Sequence, residues 1–255
     1  MNRKVFPVFA VMVFAAFSAC VQPQIDGYLF CPENHFEVRI INDGAAVEIT
    51  GYMGGRTDVR IPPFIRGLPV TSIGDGAFEG WHVEWEGELL VVFRGSLANV
   101  TIPYGVTYIG DSAFQGNYLT GATIPGSVAY IGRGAFAHNQ LVSVSIPYGV
   151  TYIGEVAFVD NLLYDLTIPS SVTYIGEVAF GQNNLTSIAI PDAVPHIKQG
   201  VFANNKLTKV VIPRSVTYIG HMAFRYNQLT EVTIPNDDAY IAPSAFDSNV
   251  TVTRN

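Results

Sequence analysis

The sequence predicts a β-rich repeat solenoid, and three recurrences carry that prediction. Ile102, Ile124, Ile146, Ile168, Ile190, Ile212 and Ile234 are each followed by proline and lie 22 residues apart. That period falls in the range of roughly 20–50 residues that marks solenoids and propellers. It makes one solenoid coil and falls short of the ~40 residues of a propeller blade. Phe78, Phe114, Phe136, Phe158, Phe180, Phe202, Phe224 and Phe246 hold a second position of the unit, and Asn117, Asn139, Asn161, Asn183, Asn205, Asn227 and Asn249 a third.

The unit reads N-x-L-T-x-V-x-I-P-x-x-V-x-x-I-G-x-x-A-F, and each part has a physical reading. In T-x-V-x-I-P the apolar residues alternate, as Val144 and Ile146 do around Ser145, which is the pattern of a strand with one wet face. The proline ends it. Val150 and Ile153 stand three apart, so the chain bends around a core with Thr151 and Tyr152 outside. Gly154 is expected to supply backbone freedom for the next bend. The E-V-A-F segment is too short for a stable helix and is expected to form a single helical or 3₁₀ turn. Its phenylalanines would stack as one spine at about one strand spacing, ~4.8 Å. The asparagines form a structural ladder, because buried amides at a turn need partners and neighbouring coils supply them.

Leu163, Leu166, Ile168-Pro169, Val172, Ile175-Gly176 and Ala179-Phe180 match the pattern L-x-x-L-x-I-P-x-x-V-x-x-I-G-x-x-A-F, and the match recurs over roughly three quarters of the chain. In this the chain resembles the BspA-like, or treponemal-type, leucine-rich repeat family. The resemblance implies a right-handed leucine-rich-repeat arc with a parallel concave sheet, short second strands and single helical or 3₁₀ turns on the convex side. It further implies a surface-exposed lipoprotein that engages host matrix or other cell-surface proteins.

In chain order, Arg3 and Lys4 precede an apolar run from Val5 to Phe17 and then Ser18-Ala19-Cys20. That is the layout of a secretory signal over residues 1–19. The small residues before Cys20 resemble a lipobox, with Phe17 departing from the usual leucine, so Cys20 is the expected lipidation site. Ordinary cleavage after Ala19 is the alternative, and it would leave a Cys20–Cys31 bridge open. Residues 20–36 read as a tether. Residues 37–60 contain two alternating runs about Asn42-Asp43-Gly44, a hairpin signal, and are expected to cap the first coil.

The solenoid proper is read as 61–246. Phe78 and Ile102 are 24 residues apart where Phe114 and Ile124 are 10 apart, so an insertion falls at about 79–94. It carries Trp81 and Trp85, either as a hairpin covering the first coils or as an exposed recognition loop. His82 with Glu84, Glu86 and Glu88 gives one imidazole and loosely spaced carboxylates, which falls short of a metal site. In the sixth unit, that of Ile190-Pro191 when Ile61-Pro62 is counted as the first, Pro195, His196, Lys198 and Val201 replace Thr, Tyr, Gly and Ala. This reads as a local kink through drift, with a site-specific groove as the alternative. Residues 247–255 turn polar and are expected to form a C-terminal cap.

Apolar residues make up 49% of the chain and charged ones 14%, a globular rather than a disordered composition. The net charge of −7 leaves no footprint for nucleic acid. Two outward stripes remain as candidates. One consists of small strand residues, Thr123, Ser145, Thr167 and Thr233, with Ala189 and Val211 as exceptions. The other is Tyr108, Tyr130, Tyr152, Tyr174, Tyr218 and Tyr240, interrupted by His196. Tyrosine gives rigid amphipathic area of the kind used in recognition, and it also packs on itself.

No catalytic motif appears, and no phosphate loop or cofactor motif follows a strand. The expectation is therefore a non-enzymatic, surface-anchored protein with a protein partner, attached to the membrane through its N-terminal lipid. The alternatives are an envelope scaffold and, more remotely, a glycan hydrolase using Glu84 and Glu86 as paired carboxylates.

Overall fold

The computed structural model describes residues 24–25, 28–80, 82–86, 89–93 and 95–254. The expected signal at 1–19, Cys20 and Trp81 lie outside the described residues. Over the described residues the chain winds as a parallel β-solenoid with almost no helix, the fold class expected from the repeat.

At its start Phe36–Ile41 and Ala46–Tyr52 pair antiparallel, and Ala46–Tyr52 then pairs parallel with Leu68–Ile73. From there one ladder continues through Tyr108–Ile109, Tyr130–Ile131, Tyr152–Ile153 and Tyr174–Ile175, tyrosine against tyrosine and isoleucine against isoleucine. A second run comprises His196–Ile197, Tyr218–Ile219 and Tyr240–Ile241.

The T-x-V-x-I-P strands also pair parallel, at Asp58–Arg60 with Asn99–Thr101 and Gly121–Thr123, and at Ser187–Ala189 with Lys209–Val211. Between these groups they narrow to a single bridge, Ser143 to Asp165. The Tyr-Ile ladder is thus the more continuous of the two. Proline after each isoleucine lacks an N–H and closes the first strand. After each Tyr-Ile pair, by contrast, the glycine N–H donates to the preceding coil's isoleucine carbonyl, at 2.8 Å for Gly110, Gly132, Gly154 and Gly176.

Inside, Val150, Ile153, Ala157 and Phe158 are fully buried, and so are their equivalents in the neighbouring coils. The phenylalanine rings stack nearly parallel from Phe78 to Phe246, with centroids 4.9 to 5.8 Å apart. Tyr52 stacks on Phe78 at 5.4 Å, so the N-terminal hairpin closes that end of the spine. At the other end Thr251–Arg254 pairs with Glu231–Ile234.

The turn after each isoleucine differs from the expectation at two residues. Gly154 does not lie at positive φ, so it does not make the bend. A Cβ there would stand 2.6 Å from the Gly132 carbonyl carbon and the Arg133 nitrogen, so its role is to let adjacent coils approach. The left-handed residue is Val156, at φ 48°, with Ser112, Val178 and Met222 at the same place in other coils. It breaks the E-V-A-F segment into two overlapping i→i+3 turns instead of a regular 3₁₀ helix, and Val159 N–H closes the second turn on the Val156 carbonyl at 3.1 Å.

The asparagine ladder forms as expected. Asn161 donates to the Phe136 carbonyl at 2.9 Å and to the Phe158 carbonyl at 3.2 Å, and its oxygen accepts the Leu141 N–H at 3.0 Å. The series runs from Asn117 to Asn227 and stops before Asn249, which is exposed. In the last coil Asp247 accepts the Asn227 N–H instead.

Candidate functional site

Two-residue strands place the tyrosine stripe. Because side chains alternate across a strand, Ile109, Ile131, Ile153 and Ile175 point into the core while the tyrosine before each lies on the outer face, half-buried. Exact register stacks the rings. Tyr108–Tyr130, Tyr130–Tyr152 and Tyr152–Tyr174 have centroids 4.8, 4.6 and 4.4 Å apart, with planes within 9°.

Crowding favours the neutral form at three of these phenols, Tyr108, Tyr130 and Tyr152. Burial, then the Asp75 carboxylate, pushes Tyr108 above its ordinary value. Burial and Asp111 do the same for Tyr130, and burial and then Tyr174 for Tyr152. Tyr218 and Tyr240 stack more loosely, at 5.4 Å, and are more exposed. The structure therefore splits the six expected stripe residues into a tight group of four and a looser pair.

The split lies at the sixth unit, and two substitutions account for it. Thr151 and Thr173 each donate N–H to the preceding coil, the Thr173 N–H reaching the Thr151 carbonyl at 2.9 Å. Pro195 holds that position and has no N–H to give. Lys198 stands where Gly110, Gly132, Gly154, Gly176 and Gly220 do in other coils, the last coil having the small Ala242. At Gly176 an added Cβ would lie 2.3 Å from the Glu155 nitrogen, so a side chain there forces the coils apart. Tyr174–Ile175 and His196–Ile197 accordingly belong to separate sheets. The Phe180–Phe202 spacing of 5.8 Å is the widest in the spine.

A cleft of about 360 Å³ opens at this gap, lined by Glu177, His196, Lys198, Gln199, Tyr218 and His221. The Lys198 ammonium lies 4.6 Å above the Tyr174 ring. His196 meets Tyr218 edge-on at 6.1 Å, and His221 Nδ1 is 2.9 Å from the Ser244 Oγ. The expected kink is thus a real separation of coils with a groove in it. Glu177 and His221 were not singled out from the sequence. The period places them: Glu177, Gln199 and His221 occupy one position of successive 22-residue units.

The insertion folds as an antiparallel hairpin of His82–Glu86 with Leu89–Phe93. Its base is held by the Gly80 N–H to the Gln115 carbonyl at 2.8 Å and the Gly95 N–H to the Gly116 carbonyl at 3.1 Å. Trp85 lies on its first strand, and its side chain is outside the described set. Cys31 is a free thiol among the described residues, 2% exposed.

No curated protein matches the chain. Among solved structures it is similar to the leucine-rich repeat protein of T. pallidum at 26% identity, covering 75% of this chain and 85% of that one with a TM-score of 0.61. A leucine-rich repeat protein from Bacteroides ovatus shares the fold at 22% identity, covering 89% of this chain and 67% of that one with a TM-score of 0.60. The family model for the BspA type leucine rich repeat region matches in six copies over residues 91–183 and 131–253, more than half of the sequence. With the period, the parallel coils and that match in agreement, the chain belongs to the BspA type leucine-rich repeat family.

Proposed function

We propose that this protein is an exported, lipid-anchored surface protein that binds another protein through its tyrosine stripe, in adhesion to host or neighbouring-cell proteins. The observation that supports the reading is the stack Tyr108–Tyr130–Tyr152–Tyr174. Its rings are spaced 4.4 to 4.8 Å apart, half-exposed and held in place by the coils beneath. A partner would bury aromatic area whose conformational freedom has already been removed, and such pre-organisation favours affinity. Exposed Tyr104 and Tyr148, which follow Ile-Pro pairs, widen the aromatic surface. The hairpin carrying Trp85 is a second candidate contact, with Trp81 beside it in the sequence.

In this reading residues 1–19 direct export, Cys20 carries the lipid and 20–36 is the tether, its far end fixed to the solenoid by the buried Cys31 and Phe36. Residues 37–60 and 247–255 cap the solenoid of 61–246, and recognition needs no cofactor. The test is binding of the full chain to immobilised extracellular-matrix proteins, beside a variant with Tyr130, Tyr152 and Tyr174 changed to serine. Loss of binding in a variant that remains folded supports the stripe. Equal binding by both proteins removes it. Protease shaving of intact cells separates a surface protein, which is cut, from a periplasmic envelope scaffold, which is not.

A further inference from the structure

Charge along the chain changes sign at the cleft. Between Arg133 and Lys198 every Asp, Glu, Lys or Arg is acidic: Glu155, Asp160, Asp165, Glu177 and Asp192. From Lys198 to Arg225 every one is basic: Lys198, Lys206, Lys209, Arg214 and Arg225. In a stack that rises ~4.8 Å per coil, this segregation in sequence becomes segregation along the axis. The Debye length at physiological salt is about 8 Å, so a ligand at the sixth coil meets the local cationic band and not the net charge of −7.

We propose that the cleft at the broken ladder is a binding site for a carboxylate-rich peptide segment of a partner protein. Its donors converge from two coils. The half-buried Lys198 ammonium rests on the Tyr174 ring and is paired with no carboxylate among the described residues. His196 is exposed and turned edge-on to Tyr218, and Gln199 adds an amide. His221 engages Ser244 through Nδ1 and keeps Nε2 for a ligand. Glu177 also lines the cleft, and like-charge repulsion directs an incoming carboxylate toward Lys198 and His221.

Outside the cleft, Lys206, Lys209, Arg214 and Arg225 give the same end of the stack one sign, Lys209 and Arg225 lining other hollows, so a long run of carboxylates is steered to these coils more than a single small acid is. This site rests on the reading of the fold as a protein-binding one and not on the tyrosine stripe.

Fluorescence anisotropy of a labelled deca-glutamate peptide with the full chain tests the proposal. Binding should weaken about tenfold in Lys198→Gln, and similarly in Pro195→Thr/Lys198→Gly, which restores the regular coil and closes the cleft. Arg133→Gln removes the same charge three coils earlier and should change affinity less than about twofold if the effect is local. Circular dichroism checks that each variant is folded. Unchanged binding in folded Lys198→Gln, an equal loss in Arg133→Gln, or no binding by the parent overturns the site. Succinate competing as well as unlabelled deca-glutamate, per carboxylate, overturns the assignment to a peptide. Matrix binding lost in the tyrosine-to-serine variant while deca-glutamate binding persists would separate this site from the stripe.

Discussion

Asn161 shows how one side chain joins four backbone groups across adjacent coils, the Phe136, Phe158 and Val159 carbonyls and the Leu141 N–H. The Phe136 and Phe158 carbonyls each accept from two asparagines and the Val159 carbonyl also accepts the His138 N–H, so all three retain a partner if Asn161 is lost, whereas the Leu141 N–H does not. Asn161→Ala should therefore cost about 1–3 kcal/mol, the price of one buried orphan donor, plus a packing loss. Urea unfolding measures it, and an unchanged midpoint would mean the ladder is dispensable. Val156 presents the opposite case. A β-branched residue at φ 48° is strained by roughly 1–2 kcal/mol, and the same position carries Gly134 and Gly200 in other coils. Val156→Gly should raise stability by up to about 1 kcal/mol after the entropy of glycine, ~0.5–1 kcal/mol, is subtracted. A lower melting temperature would show that the packing of the valine methyls outweighs the strain.

Among the elements, the Tyr-Ile ladder depends on glycine and on a free N–H at fixed places, and the sixth coil lacks both. Restoring them in Pro195→Thr/Lys198→Gly should return a hydrogen bond worth about 0.5–1.5 kcal/mol and relieve the steric separation, raising the melting temperature. A fall would mean that the gap is held open by packing elsewhere. Tyr108, Tyr130 and Tyr152 of the same ladder make stability depend on alkaline pH. Their folded-state values lie above the ordinary 10.0, so the neutral form is favoured in the folded protein. That contribution is complete below about pH 10 and is lost as pH rises through the raised folded values. Melting temperatures taken from pH 8 to 11 should drop at the alkaline end, and less in a Tyr108/Tyr130/Tyr152→Phe variant. Parallel curves for the two proteins would remove the phenols as the cause.

Taken whole, the molecule is a nearly one-dimensional stack in which each coil contacts its neighbours. Its phenylalanine spine and asparagine ladder cross the gap after the coil of Tyr174–Ile175, but its Tyr-Ile sheet does not. Local opening should therefore start there. Hydrogen exchange should find the Lys198 amide exchanging about tenfold or more faster than those of Gly176 and Gly220, whose N–H groups donate at 2.8 Å. Equal protection of the three would mean that the ladder is continuous in solution. The same gap marks the change from acidic to basic coils, so the mechanical and electrostatic discontinuities of the stack coincide.

What the sequence determined by itself was everything that repeats. The 22-residue spacing of Ile-Pro, Phe and Asn forces one conformation to recur, because each coil can bury its apolar face only against a neighbour of the same shape. Core, spine, ladder and stripe were legible for that reason. Tertiary structure decided what depends on the distance between coils. Gly154 reads locally as a flexible residue, and only the backbone of the adjacent coil, 2.6 Å from its missing Cβ, reveals it as a spacer. Val156 reads as an ordinary turn residue until its φ is known. Pro195 and Lys198 were visible as departures from the repeat, yet the cleft they open is a property of three successive coils, and it took the stacked geometry to bring Glu177, Lys198 and His221 to one place.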